Sequence, residues 1–500
     1  MEVLAETDGS YKFKTKPYGH QKECLGKLLH EWEGSGALFL EPGLGKSWIF
    51  INHAGALHHY EGIRRVLYVG PRGVLSTIAE QIEEHLWDEI PCTVRILRGR
   101  MKQKVQGITE LNGRKKRLRF ILVNYESVWR KPLKRAIKKW RPQLIIADES
   151  HKIKRYGAKQ TRGMLNLARS ADYRVISTGT AVTRNHLDIR EQWRFMLGND
   201  DDNLPNEHWK YIEDFRHRYA SQDMYGRVRK VKRPKEMRRI IRSRGYIGLK
   251  DECLDLPEKT FETVYVDLEP KAKRIYQEMA TQMVAKLEEA KESDDPMLAT
   301  ASIVLVMRLR LSQITSGFVK NEDGEEIDIG SEKNEATAEL VDTIVSENQR
   351  KLIIFYRFRR EGAQLANMLT NSGVSWAKIE GGLDDEERDQ IRKDFQGTDD
   401  PQVLLSNIQV GGLGITLTAA REMVFFNIPQ GLDHYIQAQD RIHRIGQEHK
   451  VTYYHIIGRG TIDEESLTAL ERKKDIADII LENPSVLLLK EHLIDSSGRP

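Results

Sequence analysis

Short apolar runs rich in β-branched residues recur along the chain and predict buried strands. The runs in the first half are Ala37–Leu40, Val66–Val69, Phe120–Val123, Leu144–Ala147 and Arg174–Ser177. The runs in the second half are Lys351–Tyr356, Val374–Ile379, Val403–Leu405, Met423–Phe426 and Val451–Ile457. Helix-like segments separate most of them, and this alternation favours parallel sheets covered by helices. Because the series occurs twice, we predict two α/β lobes.

The stretch between the two series has a different pattern. Residues 271–291 place apolar side chains four apart, on one face of a helix that packs against a core, at Ile275, Met279, Met283 and Leu287. A second helix is predicted from about Pro296 to Ile314. Residues 321–335 are polar, contain glycine and lack an apolar period, which predicts a loop or linker.

These patterns predict four segments. An N-terminal lobe spans residues 1–250, and a small helical inter-lobe region spans 251–335. A C-terminal lobe with a final helix spans 336–482, and a tail follows over 483–500. The 500-residue length and the 39% of apolar residues are sufficient for the cores of two or three domains.

Charge is nearly balanced but unevenly distributed. The formal net charge is only +5, yet residues 227–244 hold ten basic residues and one acid, and residues 114–141 are similarly basic. Such clusters can neutralise the phosphates of a polynucleotide. A solvated helix face explains either cluster equally well, so both interpretations stay open.

The cysteines and the terminus indicate a reduced intracellular compartment. Cys24, Cys92 and Cys253 are far apart in sequence, which predicts neither a paired-cysteine metal site nor a disulfide framework. The polar, acidic N-terminus does not look like a secretory signal. No apolar run approaches the roughly 18 residues that a membrane helix needs.

A glycine loop follows the first predicted strand, at Glu41–Ser47. Glycines allow backbone N–H groups to point at phosphate oxygens, next to the positive end of the following helix. We expect Lys46 to reach the β- and γ-phosphates of a nucleotide and Ser47 to bind Mg²⁺. The strict phosphate-loop pattern has glycine where this chain has Leu40, so a chance glycine turn is the alternative.

An acidic segment, Asp148–His151, ends the strand Leu144–Ala147. Asp148 would bind the metal directly or through water, and Glu149 would act as the base on the attacking water. An acidic turn after a buried strand is the alternative, but the glycine loop upstream makes it less favoured.

A third element lies in the second predicted lobe. Arg441 and Arg444 are three residues apart, which predicts one helix face. Arginine stabilises a transferring phosphoryl group because it is planar and always charged. Since Lys46 lies in the other predicted lobe, we expect the γ-phosphate between the lobes, so that hydrolysis moves them. A surface helix rich in arginine and glutamine is the alternative.

Taken in order, these motifs resemble the SWI/SNF-type ATPases of helicase superfamily two, from about residue 15 to 482. The string RIHRIGQ is typical of that family among helicases. The matching segments are Pro17–Gln21, Gly43–Ser47, Asp148–His151, Ser177–Ala181, Ser406–Asn407, Gly411–Leu417, Arg441–Gln447 and Gly460–Glu464.

The resemblance implies two RecA-like lobes and DNA-stimulated hydrolysis of ATP with Mg²⁺. It also implies movement along duplex or branched DNA. The residues and the resemblance together assign catalysis to Lys46, Asp148, Glu149, Arg441 and Arg444, and Mg²⁺ to Ser47 and Asp148. They assign ATP binding to Gln21, Glu41, Pro42, Gly43, Leu44, Gly45, Lys46, Ser47, His151, Gly414 and Gln437. Candidate DNA contacts are Lys152, Lys154, Arg155, Arg184, Asn185, Gln409 and Thr416.

Three positions depart from the family pattern, and none removes a charged group. Pro42 replaces methionine, Ser150 stands where alanine or glycine is common, and Ala181 replaces proline. We therefore expect an active ATPase of the compact bacterial or bacteriophage form. It would act in replication, recombination or repair rather than chromatin remodelling.

We expect a monomer in the cytoplasm of a bacterial or phage-infected cell, with replication or repair proteins as partners and no membrane. A nuclear location is the alternative. Two other functions stay open: a strand-separating or branch-migrating helicase, and a nucleic-acid-binding scaffold switched by ATP.

Overall fold

The chain divides after Asp255 into two compact units. The computed structural model describes residues 10–111, 117–179, 186–222, 228–290, 296–321, 324–407 and 415–472. Each unit contains one large parallel sheet flanked by helices, which confirms the predicted fold class. Within the described ranges, no helix is long and apolar enough to cross a membrane.

Seven parallel strands form the sheet of the first unit, in the order β3-β4-β2-β5-β6-β1-β9. They are β1 (Gly36–Leu40), β2 (Arg65–Gly70), β3 (Cys92–Ile96), β4 (Leu118–Asn124), β5 (Leu144–Ala147), β6 (Tyr173–Ser177) and β9 (Gly245–Gly248). A small antiparallel hairpin, β7 (Ala220–Gln222) with β8 (Val228–Val231), precedes β9. All five strands predicted for this lobe are confirmed.

Eleven α-helices of this unit lie within the described residues. They are α1 (Gly19–Gly26), α2 (Lys46–Glu61), α3 (Leu75–His85), α4 (Met101–Glu110), α5 (Tyr125–Val128), α6 (Lys131–Trp140), α7 (Lys159–Ala168), α8 (Ile189–Met196), α9 (Ile212–Tyr219), α10 (Pro234–Arg244) and α11 (Lys250–Cys253). Alternate strand residues face opposite sides, so Leu67 packs with the core under α6 and α8, while Val66 packs with the core under α1 and α2.

Six parallel strands form the sheet of the second unit, in the order β10-β17-β16-β13-β15-β14. They are β10 (Lys259–Val266), β13 (Leu352–Tyr356), β14 (Trp376–Ile379), β15 (Val403–Asn407), β16 (Glu422–Phe425) and β17 (Val451–Gly458). The five predicted strands of this lobe are confirmed. The described helices are α12 (Pro270–Ala290), α13 (Pro296–Thr315), α14 (Glu332–Val341), α15 (Arg359–Asn371), α16 (Asp385–Gly397), α17 (Leu432–Gln439) and α18 (Ile462–Glu471).

Three strands of the two large sheets were not predicted, and all three lie at sheet edges: β3, β9 and β10. Edge strands need no continuous apolar run, since solvent covers part of them. In β10, for example, Phe261 and Glu262 are both exposed. Strand β10 pairs with β17 although it lies in the predicted inter-lobe region. The predicted domain boundaries stay a prediction.

Both helices predicted between the lobes are confirmed as α12 and α13. They pack with α18 through a buried cluster that includes Tyr276, Leu311 and Ile462. The predicted loop over 321–335 is wrong in part. A hairpin joins β11 (Phe318–Lys320) to β12 (Glu326–Asp328), and α14 begins at Glu332. The sequence of α14 lacks the apolar period that predicts a helix, because its buried positions include the polar residues Lys333 and Thr337.

Candidate functional site

The glycine loop connects β1 to α2 and encloses its own lysine. Gly43 and Gly45 adopt left-handed backbone conformations, with φ of 91° and 71°, which glycine reaches without a steric penalty. Lys46 opens α2, and its Nζ donates to the carbonyl oxygens of Leu40 at 2.8 Å and Glu41 at 3.4 Å. The ammonium group is therefore held beside the loop, at the positive end of α2.

Two side chains of α1 contact the backbone of this loop. Gln21 Nε2 donates to the carbonyl oxygens of Leu44 at 3.5 Å and Gly45 at 3.4 Å. His20 Nε2 lies 2.9 Å from the same Leu44 oxygen. The structure thus brings the predicted Gln21 to the loop and adds His20, to which sequence reasoning gave no role.

Glu41 connects the loop to the edge strand β9. Its Oε2 accepts a hydrogen bond from the backbone N–H of Lys250 at 2.7 Å, and its own N–H donates to Gly248 at 3.2 Å. Glu41 therefore ties the glycine loop to the end of β9, and its carboxylate already accepts a hydrogen bond from the backbone of this chain.

Asp148 follows β5 and is held by two tyrosines. Its Oδ2 accepts from Tyr68 Oη at 2.6 Å, and its carbonyl oxygen accepts from Tyr125 Oη at 2.8 Å. Burial and the neighbouring Glu149 raise the pKa of Asp148, while Lys46 and the Tyr68 hydrogen bond lower it. Lys46 and Asp148 therefore belong to one electrostatic site. Tyr68 and Tyr125 are site residues that sequence reasoning missed.

Glu149 occupies an unusual backbone conformation. Its φ is 51°, in the left-handed region that non-glycine residues rarely adopt. Its Oε2 lies 3.2 Å from His151 Nδ1. Strain of this kind persists where the surrounding structure imposes it, and it is common at functional sites. The turn places the predicted base and His151 together.

Ser150 is fully buried, and its hydroxyl donates to Gln192 Oε1 on α8 at 2.5 Å. Gln192 in turn donates through Nε2 to the Asp188 carbonyl oxygen at 2.9 Å. This departure from the family pattern therefore has a structural partner, because the hydroxyl connects the acidic segment to α8.

The end of β6 touches the glycine loop. Thr178 donates its backbone N–H to Leu38 of β1 at 3.1 Å. A Cβ atom at Gly179 would lie 2.9 Å from Pro42 Cγ and 3.4 Å from Lys46 Nζ, so a larger residue there would require Pro42 to shift. The next residues of this motif, together with the candidate DNA contacts Arg184 and Asn185, lie outside the described residues.

In the second unit, the prediction that Arg441 and Arg444 share a helix face is wrong. Helix α17 ends at Gln439, and the chain continues in turns. The carbonyl oxygen of Gln439 accepts from Tyr453 Oη at 2.9 Å, and that of Arg441 accepts from Leu417 N at 2.9 Å. The Gln439 oxygen also accepts from His443 N at 3.1 Å, so of these two oxygens it is that of Arg441 that a partner from outside this segment takes in place of a helical donor.

These turns lie against the end of the glycine-rich motif. Arg441 is buried and donates through Nη1 to the Ile415 carbonyl oxygen at 3.4 Å. Gln447 Nε2 donates to the Ala420 carbonyl oxygen at 3.0 Å. Arg444 is half-buried; burial lowers its pKa, and Asp440 raises it. Thr416 and Gln437 are also half-buried in this unit, whereas Gln409 and Gly414 lie outside the described residues.

The remaining candidate DNA contacts follow the acidic segment. Lys152, Lys154 and Arg155 are all exposed. Lys154 Nζ pairs with Asp188 Oδ2 at 2.9 Å, so part of its charge is compensated within the protein.

Asp148 and Ser47 suit a magnesium ion that also binds phosphates. Within the described ranges there is no cluster of three or more histidine, cysteine or acidic side chains that could hold a metal alone. Mg²⁺ typically uses one or two carboxylates and completes its shell with water and phosphate oxygens. A buried carboxylate whose pKa is raised by its surroundings fits that role, because a cation would stabilise its charged form.

Comparison with known proteins identifies the family. A SNF2-related domain matches residues 20–316, and a helicase conserved C-terminal domain matches residues 332–446. An uncharacterised ATP-dependent helicase of Mycoplasma genitalium is 27% identical over 333 residues, which cover 66% of this chain and 30% of that protein. A putative ATP-dependent helicase/translocase of Bacillus subtilis is 26% identical, covering 68% of this chain and 36% of that protein.

The chain thus spans about a third of the length of these curated relatives. The solved SWI2/SNF2 ATPase core of Sulfolobus solfataricus, in complex with double-stranded DNA, aligns over 100% of this chain and 97% of that one, at 21% identity and a TM-score of 0.43. The SNF2-related match alone covers more than half of the 500 residues. This chain therefore belongs to the SNF2-related family, and carries its ATPase domain followed by a helicase C-terminal domain.

Proposed function

We propose that this chain is a magnesium- and DNA-dependent ATPase that moves along duplex or branched DNA. The observation that carries the proposal is the site at the carboxyl edge of the first sheet, where Lys46 Nζ is held at the glycine loop, Tyr68 holds the Asp148 carboxylate, and the Lys46 charge lowers the pKa of Asp148. Open parallel sheets bind their ligands at that edge.

In this proposal the glycine loop binds the phosphates of ATP, and the acidic segment binds the metal and activates the attacking water. The N–H groups of the glycine loop bind phosphate oxygens, and Lys46 exchanges its carbonyl partners for the β- and γ-phosphates. Asp148 and Ser47 would hold Mg²⁺, which would supply positive charge next to the phosphates. Glu149 accepts a proton from the attacking water, and His151 orients its carboxylate.

Arg441 and Arg444 serve the same reaction in this proposal. Arg444 is half-buried, whereas Arg441 is anchored to the backbone at Ile415. A guanidinium group that reaches the transferring phosphoryl group accelerates its transfer. Substitution of Arg444 by alanine should therefore lower kcat more than it weakens ATP binding.

The proposed partner is DNA. The exposed cations Lys152 and Arg155 follow directly on the acidic segment, so phosphate contacts there would couple to hydrolysis. The relatives are named as helicases and as a helicase/translocase, which supports a nucleic acid as the partner. The proposed setting is DNA replication, recombination or repair in a bacterial or phage-infected cell.

The test is ATP turnover at fixed salt with duplex, single-stranded and four-way-junction DNA. Duplex or junction DNA should stimulate turnover, and Lys46→Ala and Glu149→Gln should each abolish it, with ATP binding retained in Glu149→Gln. Absence of stimulation by any nucleic acid would refute the proposal. Displacement of a strand from a tailed duplex would instead indicate a strand-separating helicase, and a single turnover per enzyme would indicate an ATP-switched scaffold.

A further inference from the structure

The basic segment 227–244 contains helix α10, whose exposed cations form one stripe. Lys235, Arg238, Arg239 and Arg242 are all exposed, and their spacing of three, one and three residues places them on one helix face. The opposite face, with Met237, Ile240 and Ile241, is buried in the core of the first unit.

The one acidic residue of the helix does not neutralise this stripe. Glu236 accepts from Arg218 Nη2 at 3.0 Å through both carboxylate oxygens and from Tyr219 Oη at 2.8 Å. These partners lie on α9, on the side of α10 that faces the protein. The carboxylate is therefore engaged in a bidentate pair with an arginine outside the stripe.

The last basic residue of the helix has a structural role that the stripe residues lack. Arg244 donates to the Trp32 carbonyl oxygen at 3.0 Å and pairs with Glu33 Oε2 at 2.9 Å. Among the described residues, the side chains of Lys235, Arg238, Arg239 and Arg242 have no hydrogen-bond or ion-pair partner. Their charge is directed to solvent, and packing does not explain it.

We propose that the α10 stripe binds the phosphate backbone of duplex DNA, as a contact separate from the motif loops. The inference rests on the proposed function. The stripe covers about 10 Å along the helix axis, which matches roughly three phosphates of one strand at about 3.4 Å each. Arginine, which supplies three of the four cations, binds phosphate with two parallel hydrogen bonds.

A lipid surface fits this helix poorly. A helix that lies on a membrane inserts its apolar face among the acyl chains, whereas Met237 and Ile240 of α10 are buried in the protein core. Only the cationic face is available, and binding through charge alone suits a polyanion with regularly spaced phosphates. Lys232 and Arg233, both exposed just before α10, extend the same positive surface, although Arg233 Nη1 also lies 3.9 Å from Glu236 Oε2.

The experiment measures the dissociation constant for duplex DNA over a range of NaCl concentrations. The four stripe residues are replaced together: Lys235→Gln, Arg238→Gln, Arg239→Gln and Arg242→Gln. The slope of log Kd against log salt should fall by about 0.9 for each phosphate that the variant no longer neutralises, or by about 2.7 for the roughly three phosphates that the stripe spans. The charge-conserving variant Arg238→Lys, Arg239→Lys and Arg242→Lys should retain most of the wild-type slope.

A matched control removes the same charge from α6. Lys131, Arg135, Lys138 and Lys139 are also exposed, and their glutamine variants should change the slope by less than about one. A fall of less than about one in the α10 variant, or an equal fall in the α6 variant, overturns the inference. If thermal unfolding shows that the quadruple variant does not fold, Arg238→Gln with Arg239→Gln replaces it, with an expected fall of about 1.8.

Failure of this inference can be separated from failure of the proposed function. If duplex DNA stimulates wild-type turnover but the α10 variant keeps the wild-type salt slope, only the stripe is refuted. If wild-type protein neither binds duplex DNA nor responds to it, both are refuted.

Discussion

At the scale of single residues, the buried hydroxyl of Tyr68 determines the orientation of the Asp148 carboxylate. Tyr68 on β2 pairs in register with Ile146 on β5, and Asp148 lies two residues further along. Since strand side chains alternate, the two residues face the same side of the sheet. The 2.6 Å hydrogen bond then orients the carboxylate toward the glycine loop and stabilises its charge.

Replacement of Tyr68 by phenylalanine should lower the kcat of ATP hydrolysis by about tenfold. A hydrogen bond to a charged group contributes about 1.5–3 kcal/mol, and each 1.36 kcal/mol lost from the transition state costs about tenfold in rate. Steady-state turnover at saturating ATP and Mg²⁺ would measure the change. Tyr173→Phe is the matched control, because Tyr173 begins β6 and so lies at the opposite end of the parallel strands from the site. Equal rates for both variants would contradict the prediction.

Ser150 has a hydrogen-bond partner that comparison of motifs could not identify. The sequence presents it as a departure from a family pattern, without a partner. The structure pairs its hydroxyl with Gln192, 42 residues later on α8. Because the bond depends on where α8 packs, no local pattern around Ser150 could have predicted it.

At the scale of elements, a buried ion pair joins two helices of the second unit. Lys333 Nζ on α14 pairs with Asp463 Oδ2 on α18 at 2.7 Å, and both side chains are almost fully buried. Asp463 Oδ1 also accepts from Thr315 Oγ1 of α13 at 3.3 Å. The pair therefore fixes how α13, α14 and α18 meet.

Lys333→Met should destabilise the second unit by about 3–5 kcal/mol, because it leaves the Asp463 carboxylate buried without its cation. Hydrogen exchange of the β16 and β17 amides, measured by mass spectrometry, would report the loss. Asp267→Asn breaks an exposed pair with Arg459 and should cost less than about 1 kcal/mol. The prediction is wrong if the two variants exchange at the same rate. Lys333→Met combined with Asp463→Leu should recover part of the stability.

At the scale of the whole molecule, each unit holds a buried histidine whose pKa is lowered by burial. His53 on α2 and His455 on β17 are both almost inaccessible to solvent. Burial lowers the pKa of each to about 4. His455 stacks on Phe425 and shares a 2.9 Å hydrogen bond with Tyr435 Oη.

Both units should therefore lose stability as the pH falls from about 6.5 to about 4. The unfolded chain takes up protons near pH 6.5, whereas the folded units resist protonation until about pH 4. Each histidine contributes at most about 3 kcal/mol across that window. Thermal unfolding at pH 7.5 and pH 5 would measure it. His53→Gln and His455→Gln should each reduce the difference in unfolding temperature between the two pH values. His434 is exposed on α17, so His434→Gln should leave that difference unchanged.

Most of the strand content followed from the sequence, since a buried strand in a parallel sheet must be continuously apolar. Edge strands such as β10 escape this rule because solvent covers one side. The α14 helix escaped for a related reason: its buried positions include Lys333 and Thr337, whose polar groups find partners only after folding.

The sequence by itself determined the two α/β series, the order of the motifs and the residue types of the proposed ATP site. Those properties depend on local periodicity and on chemistry that a few adjacent residues carry. Only the tertiary structure decided that Tyr68 holds Asp148, that α17 stops before Arg441, and that Glu236 turns away from the cations of α10. In each case the deciding hydrogen bond joins residues from separate elements, and it exists only once packing brings those elements together.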